Sequence, residues 1–507
     1  MNKILSVDIG TTALKLVLFD ECGQVLAQAT KEYELLTPST LVVEMAVDTY
    51  WQAFKEAIGE VIRESQVNPE EIAALGISAQ GETLLMVDSA GEPLRNAIVW
   101  LDNRAQEEAE VLSQEFGDEN AYKVTGQVSI VPTWPASKIL WIKRNELELF
   151  QKVGKYLLIE DYFIYRMTGQ LVAEGSLLCS TVYWDITSKT WWDDMLHFLG
   201  VSPDQLPTIR ESGEPVGEIL PQVAQELGLS PTTIVCTGAL DQAAGAIGVG
   251  NIIPGVFSEN TGAALAICAT VDRPTFDPQS RMPCHYHGIP DTYMEHTFTT
   301  GGMVLRWYRD KFCQEELAEA SAKGKDAYDV LTEQASRVAP GSEGLTMLPH
   351  LQGAMAPDAN PKAKGVFYGF TLRHEKPHFI RAILESIACT VKRNIDVLEE
   401  LGIRIEEIRC LGGGSRSSLW NQIKADLTGR PVITVRSPEA ACLGAAILAG
   451  KAVGLFPSLQ DACQQMVAIK DRFEPNPDNV AAYEATYERY VELYDSLCPL
   501  FEKETAV

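Results

Sequence analysis

Short apolar runs separated by polar turns begin the chain. The runs Ile4–Val7 and Leu14–Phe19 are rich in Ile, Leu and Val, and they flank the turn Asp8-Ile9-Gly10-Thr11-Thr12. This pattern predicts a β-hairpin, in which Gly10 permits an unusual backbone conformation. A carboxylate, two hydroxyls and backbone N–H groups at the tip could hold a metal ion and a phosphate, although a plain polar turn would explain the same residues.

Strand-like and helix-like patterns alternate along the N-terminal half. Short apolar runs bounded by turn residues indicate strands, and apolar residues three and four positions apart indicate helices. The predicted elements are a helix ending near Gln66, strands at Ile72–Ser78 and Leu84–Asp88, helices at Asn103–Glu115, Lys138–Lys143 and Val153–Met167, and a strand that ends at Asp241.

The hairpin pattern recurs at Gly255–Thr270, where an apolar run, an acid, a glycine turn and a second apolar run follow one another. The copy is degenerate, because Glu259-Asn260-Thr261-Gly262 stands where residues 8–12 form the first turn. Chance similarity of two short glycine-containing hairpins is the alternative. A true repeat would divide the chain into two related halves, with the boundary in the glycine-rich stretch Gly245–Gly255.

A glycine-rich segment at Ile408–Val435 is the most specific local signal. A short strand leads into three consecutive glycines, Gly412 to Gly414, and a helix with an inner face of Leu419, Ile423 and Leu427 follows, capped by Ser415 or Ser417. Glycines before a helix N-terminus let a nucleotide approach the backbone, and the helix end favours phosphate. The segment fits neither a Walker loop nor the dinucleotide-binding fingerprint. A flexible strand-to-helix corner is the alternative.

Two further features are positional. In Ser437–Gly450 we expect Ser437 to cap a helix that starts at Pro438, with small residues that allow close packing. Asp241 follows a strand and precedes a small-residue helix, where a negative charge is stabilised. It is therefore either an N-cap or a general base that accepts a proton from a substrate hydroxyl. The tail from Asp478 has the pattern of a charged amphipathic helix.

Composition narrows the classes of function. The chain has 507 residues, enough for two large domains or three, and its net charge is −27. That charge argues against nucleic-acid and anionic-membrane partners, and an anionic ligand would need backbone amides and a cation. The eleven cysteines are dispersed without a CxxC pair, which is typical of reduced thiols in a cytoplasmic protein. We expect neither a signal peptide nor a transmembrane helix.

Several motifs together resemble one family. They are DIGTT at 8–12, DQAAG at 241–245, ENTGAALA at 259–266, GGGSRSSLWNQIKADLTGRPV at 412–432, SKILWIKRN at 137–145, and the stretch from Gly365 to Glu385. Their order and number identify the chain as a member of the FGGY family of carbohydrate kinases across nearly all of its length. Some features resemble xylulose kinases and others glycerol kinases.

The resemblance implies an α/β fold with two actin-like (ribonuclease H-like) ATPase domains, each built on a mixed five-stranded sheet, with a cleft between them. Residues 1–248 would be the sugar-binding domain, 249–455 the nucleotide-binding domain, and 456–507 a helical extension on the second domain. ATP and Mg²⁺ are the implied cofactors, a small sugar or polyol is the implied partner, and a homodimer is compatible with the family.

The resemblance also implies roles for individual residues. Asp241 would be the catalytic base and Asp8 a ligand of Mg²⁺, directly or through water. The residues expected to face the phosphates or line the nucleotide are Gly10, Thr11, Thr12, Lys15, Thr261, Gly262, Gly302, Gly413, Gly414 and Ser417.

The segment Ser78–Thr83 contacts the sugar in this family. It lacks the Met-His pair of xylulose kinases, and Gly81-Glu82 keeps the acid of the glycerol kinase Arg-Glu pair without the arginine. The expected substrate-binding residues, all able to bond or stack on a polyhydroxyl compound, are Gln80, Gly81, Glu82, Trp134, Asp241 and Gln242.

The acceptors of this set suit a neutral four- or five-carbon ketose or polyol, most of all a xylulose-like ketopentose. Binding of the gluconate carboxylate would require an additional cation at the site. Arg104 could provide that cation, although a salt bridge is the alternative role for Arg104. Glycerol or gluconate phosphorylation is thus the runner-up. Alternative hypotheses from other classes are a non-catalytic actin-like ATPase, a pseudo-kinase regulator and a dehydrogenase. The glycine spacing that a dehydrogenase requires is absent from this sequence.

Overall fold

The computed structural model of the protein describes residues 2–503. Its strands are, in chain order, β1 Lys3–Ile9, β2 Ala13–Phe19, β3 Val25–Glu32, β4 Leu36–Ser39, β5 Val42–Met45, β6 Ile72–Ala79, β7 Leu84–Val87, β8 Ala97–Ile98, β9 Lys155–Leu158, β10 Val172–Glu174, β11 Trp184–Asp185, β12 Thr190–Trp191, β13 Thr208–Arg210, β14 Pro215–Glu218, β15 Ile234–Cys236, β16 Ala239–Leu240, β17 Val256–Thr261, β18 Ala264–Val271, β19 Cys284–Tyr286, β20 Tyr293–Thr300, β21 Thr346–Leu348, β22 Val366–Tyr368, β23 Glu407–Leu411, β24 Val432–Val435 and β25 Ile469–Phe473.

The α-helices alternate with these strands, as the sequence pattern predicts. They are α1 Val47–Ser65, α2 Gln106–Phe116, α3 Asp118–Thr125, α4 Pro135–Asn145, α5 Leu147–Phe150, α6 Ile159–Thr168, α7 Gly175–Leu178, α8 Asp193–Leu199, α9 Pro221–Leu227, α10 Asp241–Gly248, α11 Met303–Phe312, α12 Gln314–Lys323, α13 Ala327–Ala335, α14 Lys376–Glu400, α15 Ser418–Thr428, α16 Ala440–Ala452, α17 Leu459–Met466 and α18 Pro477–Phe501. No helix within residues 2–503 is both long and apolar enough to cross a bilayer.

The chain forms two compact units that are each discontinuous in sequence. Within the described residues, unit 1 consists of 2–252, 270–295 and 439–468, and unit 2 of 253–269, 296–438 and 469–503. Helices α16 and α17 thus belong to unit 1, although they follow the glycine-rich motif along the chain. The division of the sequence into domains 1–248, 249–455 and 456–507 stays a prediction. Domains that are contiguous in sequence would not place the segments 270–295 and 439–468 in the same unit as the N-terminal residues.

The main sheet of unit 1 begins with the predicted hairpin. Strands β1 and β2 pair antiparallel, with Asp8 opposite Lys15, and β6 lies parallel to β1, with Ser78 opposite Asp8. The order is β14-β15-β6-β1-β2-β3, and β16 also pairs with β6. Both strands of the hairpin are largely buried, in keeping with their runs of Ile, Leu and Val. The carboxyl ends of β1, β6 and β16 therefore bring their following residues to one edge.

The main sheet of unit 2 repeats this arrangement. Strands β17 and β18 form the second predicted hairpin, β23 lies parallel to β17, and β24 lies parallel to β23. The order β20-β18-β17-β23-β24 matches β3-β2-β1-β6-β15 of unit 1. The two-domain α/β architecture with mixed sheets is thus confirmed. Each mixed five-stranded core carries two more strands in its sheet.

Small residues let two helices of unit 1 pack at close range. A Cβ at Gly444 of α16 would lie 1.8 Å from the carbonyl oxygen of Ala244, and a Cβ at Gly248 of α10 would lie 1.9 Å from that of Ala440. Neither distance leaves room for a side chain, so these glycines are required for contact between the helix backbones. The close packing expected from the small residues is present, and it supports the helix that begins at Asp241.

Three local predictions were wrong in detail. The segment predicted as one helix at Val153–Met167 begins with strand β9, and α6 starts only at Ile159. The helix expected to start at Pro438 starts at Ala440 with Glu439 at its N-cap position. On α15, Ser417 is the cap, as one alternative proposed, but Trp420 rather than Leu419 is buried in the first turn. Tertiary pairing overrides local pattern in the first case.

Candidate active site

The tip of the first hairpin is held in a fixed shape by its own backbone. The Gly10 amide donates to the Ala13 carbonyl at 3.0 Å, and a Cβ at Gly10 would lie 2.9 Å from that oxygen. Gly10 is absent from the residues with positive φ, so close approach, rather than the unusual conformation expected, requires the glycine. Trp100 donates to the Thr11 hydroxyl at 2.8 Å. Thr12 is exposed at the tip.

Asp8 is a partly buried residue near the end of β1, and the Ser78 side chain is the hydrogen-bond donor that its carboxylate has. The Ser78 hydroxyl donates to Asp8 Oδ1 at 2.8 Å. Lys15 stands opposite Asp8 but forms its ion pair with Glu439, the N-cap of α16. Burial raises the pKa of Asp8, while the Ser78 hydrogen bond and the Lys15 charge lower it. The site thus gathers two carboxylates around one ammonium group and keeps net negative charge.

Asp241 is the first residue of α10, directly after β16. Burial raises the pKa of Asp241 to about 7, and the negative charges of Asp8 and Glu82 add to the rise. The backbone N–H and side chain of Gln242 bond to the carboxylate and lower its pKa. Three predicted site residues therefore lie close enough to influence one another's charge. A carboxylate with a pKa near neutrality is suited to accept a proton.

The segment Gln80-Gly81-Glu82 follows β6 and lies beside the hairpin. The Gln80 amide donates to the Ile9 carbonyl at 3.0 Å, and its side-chain nitrogen donates to the Tyr50 hydroxyl at 3.1 Å. Gln80 Oε1 is buried and has no hydrogen-bond partner. An unpartnered buried acceptor is costly, so a ligand hydroxyl is a natural donor for it. A Cβ at Gly81 would lie 3.0 Å from Leu240, so little room exists for a larger residue.

Glu82 adopts a left-handed backbone conformation with φ of 57°. Lys138 of α4 stabilises this turn: its fully buried Nζ donates to the Glu82 carbonyl at 3.2 Å and to the Val99 carbonyl at 3.0 Å. Burial lowers the pKa of Lys138 to about 7, against the charges of Glu82 and Asp102. Sequence reasoning placed Lys138 in a family signature without assigning it to the site. Its position one helix turn past Trp134 was the available signal.

Of the other two predicted substrate-binding residues, Gln242 lies at the site and Trp134 is partly in the hydrophobic core. Gln242 lies beside Asp241 and bonds to it, as described above. Trp134 precedes α4, donates from Nε1 to the Ser129 carbonyl at 3.0 Å, and packs against the hydrophobic core of this region while remaining partly exposed. One part of the Trp134 ring therefore packs in the core, and another part is exposed to solvent. Arg104 pairs with Asp102 and Glu44, which is the salt-bridge alternative for that residue.

A second site lies within unit 2. A cavity of about 270 Å³ is lined by strand ends and helix starts, and all six residues predicted for nucleotide contact in this unit line it. They are Thr261, Gly262, Gly302, Gly413, Gly414 and Ser417. Helix α13 contributes Tyr328, whose ring lies 4.7 Å from the Arg309 guanidinium, and Asp326 caps this helix. Sequence reasoning missed α13 because no motif marks it.

Close approach explains the glycines of this cavity. Gly412 has φ of 76°, and a Cβ there would lie 2.3 Å from Asn260 Oδ1. A Cβ at Gly414 would lie 2.6 Å from the Thr261 Cβ, and one at Gly302 would lie 2.6 Å from the Gly262 carbonyl oxygen. The glycine turns thus pack directly against the tip of the second hairpin. Ser417, the N-cap of α15, also lines the cavity, and a helix N-terminus suits phosphate.

The donor set of unit 1 fits Mg²⁺ held by few protein ligands. Within residues 2–503, no three His, Cys, Asp or Glu side chains form a ready cage for a metal ion. Mg²⁺ usually keeps several waters and binds through one or two carboxylates together with substrate phosphates. Asp8, with net negative charge around it and its carboxylate bonded only to a hydroxyl, suits that mode.

Comparison with known proteins assigns the chain to a family. Residues 3–248 match the N-terminal domain of the FGGY family of carbohydrate kinases, and residues 268–453 match its C-terminal domain. A gluconokinase of Bacillus subtilis is 32% identical over 97% of this chain and 95% of its own length. A xylulose kinase of the same organism is 30% identical over 97% of each chain.

Solved structures agree with this assignment. A xylulose kinase from Lactobacillus acidophilus superposes with a TM-score of 0.89 at 28% identity, covering 99% of this chain and 100% of that one. A gluconate kinase from the same organism gives a TM-score of 0.89 at 28% identity, with 99% of each chain covered. The duplicated hairpins, the glycine-lined cavity and these matches over almost the whole length have one explanation: the chain belongs to the FGGY family of carbohydrate kinases.

Proposed function

We propose that the protein transfers the γ-phosphate of ATP, with Mg²⁺, to a hydroxyl of a neutral four- or five-carbon ketose or polyol, a xylulose-like ketopentose foremost. The observation that carries the proposal is Asp241, a carboxylate of near-neutral pKa between the charges of Asp8 and Glu82. Such a group can accept the proton of a sugar hydroxyl as it attacks phosphorus. Phosphoryl transfer needs mainly positioning and charge neutralisation, for which a weak base suffices.

The remaining residues have complementary tasks in this proposal. Gln80 Oε1, Glu82 and Gln242 bond to substrate hydroxyls, and Trp134 offers a ring face to the sugar. Gly10, Thr11, Thr12 and Lys15 face the phosphates, and Lys15 exchanges Glu439 for a phosphate oxygen when ATP binds. Bound at Asp8, Mg²⁺ would supply positive charge to the phosphates of ATP. The nucleotide occupies the glycine-lined cavity of unit 2, where backbone N–H groups compensate for the chain's negative charge.

The charge of the site favours a neutral substrate over an aldonate. The negative charges of Asp8 and Glu82 disfavour ionisation of Asp241, and a substrate carboxylate would add to that repulsion. Two cations of unit 1 that could meet a substrate carboxylate are already engaged, Lys138 by two backbone carbonyls and Arg104 by Asp102 and Glu44. Gluconate phosphorylation is nevertheless a specific second candidate, because a relative named gluconokinase matches almost the whole chain at 32% identity.

A coupled ADP-release screen tests the proposal. Pentuloses, tetritols, glycerol, hexoses and aldonates are compared at fixed ATP and Mg²⁺, with kcat/KM for each. We expect the highest value for a ketopentose and at least tenfold less for gluconate, a difference of about 1.4 kcal/mol in transition-state binding. The highest value for gluconate would overturn the neutral-substrate proposal. ATP hydrolysis that no sugar stimulates would instead indicate a non-catalytic actin-like ATPase.

The setting of the enzyme is part of the proposal. All eleven cysteines are free thiols. Reducing compartments keep thiols in that state, so we place the enzyme in the cytoplasm. A homodimer is compatible with the family resemblance, and sedimentation of the full chain would test it.

A further inference from the structure

The acid of the second hairpin has a partner that the proposed function does not use. The side chains of Glu259 and Lys424 are both completely buried and form an ion pair. Lys424 lies on α15, the helix that follows the glycine turn, so the pair joins the hairpin to that helix. Burial alone would lower the pKa of Lys424, but the Glu259 carboxylate raises it overall. Lys424 therefore keeps its positive charge despite being buried.

Both members of the pair bond to the same hydroxyl. Lys424 Nζ donates to Thr261 Oγ1 at 3.1 Å, and the Thr261 hydroxyl donates to the second carboxylate oxygen of Glu259. A hydroxyl has one proton to donate, so that of Thr261 is spent on Glu259. It cannot also donate to a phosphate. If Thr261 faces the phosphates, as expected from the sequence, it does so without donating a hydrogen bond from its hydroxyl.

The Thr261 side chain lies between two glycine turns, those of Gly302 and Gly414. Its Cγ2 lies 3.9 Å from the Cβ position of Gly302, and its Cβ lies 2.6 Å from that of Gly414. Both glycines line the cavity, as does Thr261 itself. A shift of Thr261 would therefore move the Gly414 turn directly and the Gly302 turn through the next residue, Gly262, whose carbonyl accepts a hydrogen bond from the Gly302 amide at 2.9 Å. Because interiors are close-packed, such a shift is not absorbed locally.

Lys424 also contacts another wall of the cavity. Its Nζ lies 5.0 Å from the centre of the Trp420 ring, a cation–π distance, and Trp420 Nε1 donates to the Leu384 carbonyl at 3.1 Å. Trp420 lines the cavity. The Lys424 ammonium group thus contacts both Thr261, which lies between the glycine turns, and Trp420 beside them, and it orders both side chains.

We propose that Lys424 and Glu259 are a positioning pair for the nucleotide: neither touches it, and together they fix Thr261 and Trp420 so that the glycine turns keep the spacing that ATP requires. This inference rests on the proposed function, because it takes the cavity of unit 2 to be the ATP site. A buried ion pair is weak evidence for stability, since a well-packed apolar pair of similar size often folds as well. Positioning and stability can therefore be separated.

The decisive variant is the double substitution E259L/K424M, which removes both charges and leaves none unpaired. We expect its melting temperature to stay near that of the wild type. The KM for ATP should rise roughly tenfold, the size of effect expected when buried hydrogen bonds that order a site are lost. The KM for the sugar should change by less than about twofold, because the loss is specific to nucleotide binding. ATP binding by titration calorimetry should weaken in parallel with KM.

A matched control uses another ion pair of unit 2. Arg393 and Asp358 are 19% and 11% exposed, and neither lines the cavity. The double variant R393M/D358N should alter the melting temperature and leave the KM for ATP unchanged. A second test keeps the ion pair and removes only the hydroxyl: T261V should also raise the KM for ATP, and T261S, which keeps the hydroxyl, should raise it less.

The outcomes are separate for the two proposals. A wild-type KM for ATP in E259L/K424M, or an equal rise in R393M/D358N, would overturn the positioning role. If E259L/K424M fails to fold, T261V decides, and a wild-type KM for ATP in that variant would overturn the role as well. The proposed function fails on a different result, namely a wild-type protein that neither binds ATP nor phosphorylates any sugar of the screen.

Discussion

The two hairpins share one topology and differ in how their acids are neutralised. In each, an antiparallel pair is flanked by a strand parallel to its first member. Across the pair, Asp8 faces Lys15, whereas Glu259 faces Ile267. The cation of the second hairpin comes instead from Lys424, on a helix. The two hairpins thus have the same backbone arrangement and different sources of positive charge.

The charge balance follows from this difference. The first hairpin has Asp8 and Glu439 around one ammonium group, and that group is paired with Glu439. The second has one carboxylate and one ammonium group, both buried and paired. A site with surplus negative charge can attract a cation, whereas a neutral site cannot. In the proposed function, metal binding and proton transfer belong to the first hairpin region, and backbone contact with the nucleotide belongs to the second.

The largest expected effect is on chemistry beside the first hairpin. Replacing Asp241 by Asn removes the proton acceptor and preserves its size, so kcat should fall about 10²- to 10⁴-fold. Affinity for ATP, measured by calorimetry, should stay within about twofold because the cavity of unit 2 is untouched. Sugar-stimulated ADP release at an undiminished rate would remove Asp241 from the mechanism.

The next largest effect is a difference in stability between variants of the two lysines, Lys424 and Lys15. Lys424→Met leaves the buried Glu259 carboxylate without its ion-pair partner, with only the Thr261 hydroxyl bonded to it, and should cost about 3–5 kcal/mol in the free energy of unfolding. Lys15→Met concerns a side chain that is 35% exposed, so the loss should be only about 0–1 kcal/mol. Urea titrations of both variants, followed by circular dichroism, measure the difference.

A cooperative transition is needed for that comparison, so the slope of each unfolding curve serves as its control. Equal losses for the two lysines would mean that the ion pairs are equivalent and that the proposed asymmetry is wrong. A much larger loss for Lys15→Met would reverse it.

A third prediction concerns the metal. Asp8→Asn should raise the Mg²⁺ concentration for half-maximal activity by about tenfold or more, since one negative ligand is lost. Glu259→Gln should change the KM for ATP and leave the Mg²⁺ requirement in place. Initial rates over a Mg²⁺ series at saturating ATP measure both. A shift of the Mg²⁺ requirement in the Glu259 variant alone would place the cation at the other hairpin.

Much of this comparison could be predicted from the sequence, because both hairpins are local. Apolar runs, turn glycines and the helix cap at Ser417 depend on residues near one another in the chain. The duplicated architecture followed from recognising those units in order. Asp241 was predictable for the same reason, as the junction of a strand and a helix.

The rest depends on contacts between distant segments. Lys138 reaches Glu82 across 56 positions and Lys424 reaches Glu259 across 165, and no local pattern distinguishes either lysine from one on a solvated helix face. Strand β9 was mistaken for helix because its pairing with β7 decides its state. Glu439 was hidden likewise, as a helix cap whose partner Lys15 lies 424 positions away.

The smallest predicted effect is a change in a pH profile. Burial and the Asp8 charge raise the pKa of Asp241 to about 7, and only its ionised form accepts a proton, so kcat/KM should rise with pH and level off above that value. At one pH unit below the pKa, about a tenth of the plateau is expected. Asp8→Asn removes a neighbouring charge and should shift the limb to lower pH, while Glu259→Gln should leave it in place. Because the limb reports charge beside Asp241, a shift in the Glu259 variant instead would mean that the two hairpins are not electrostatically distinct.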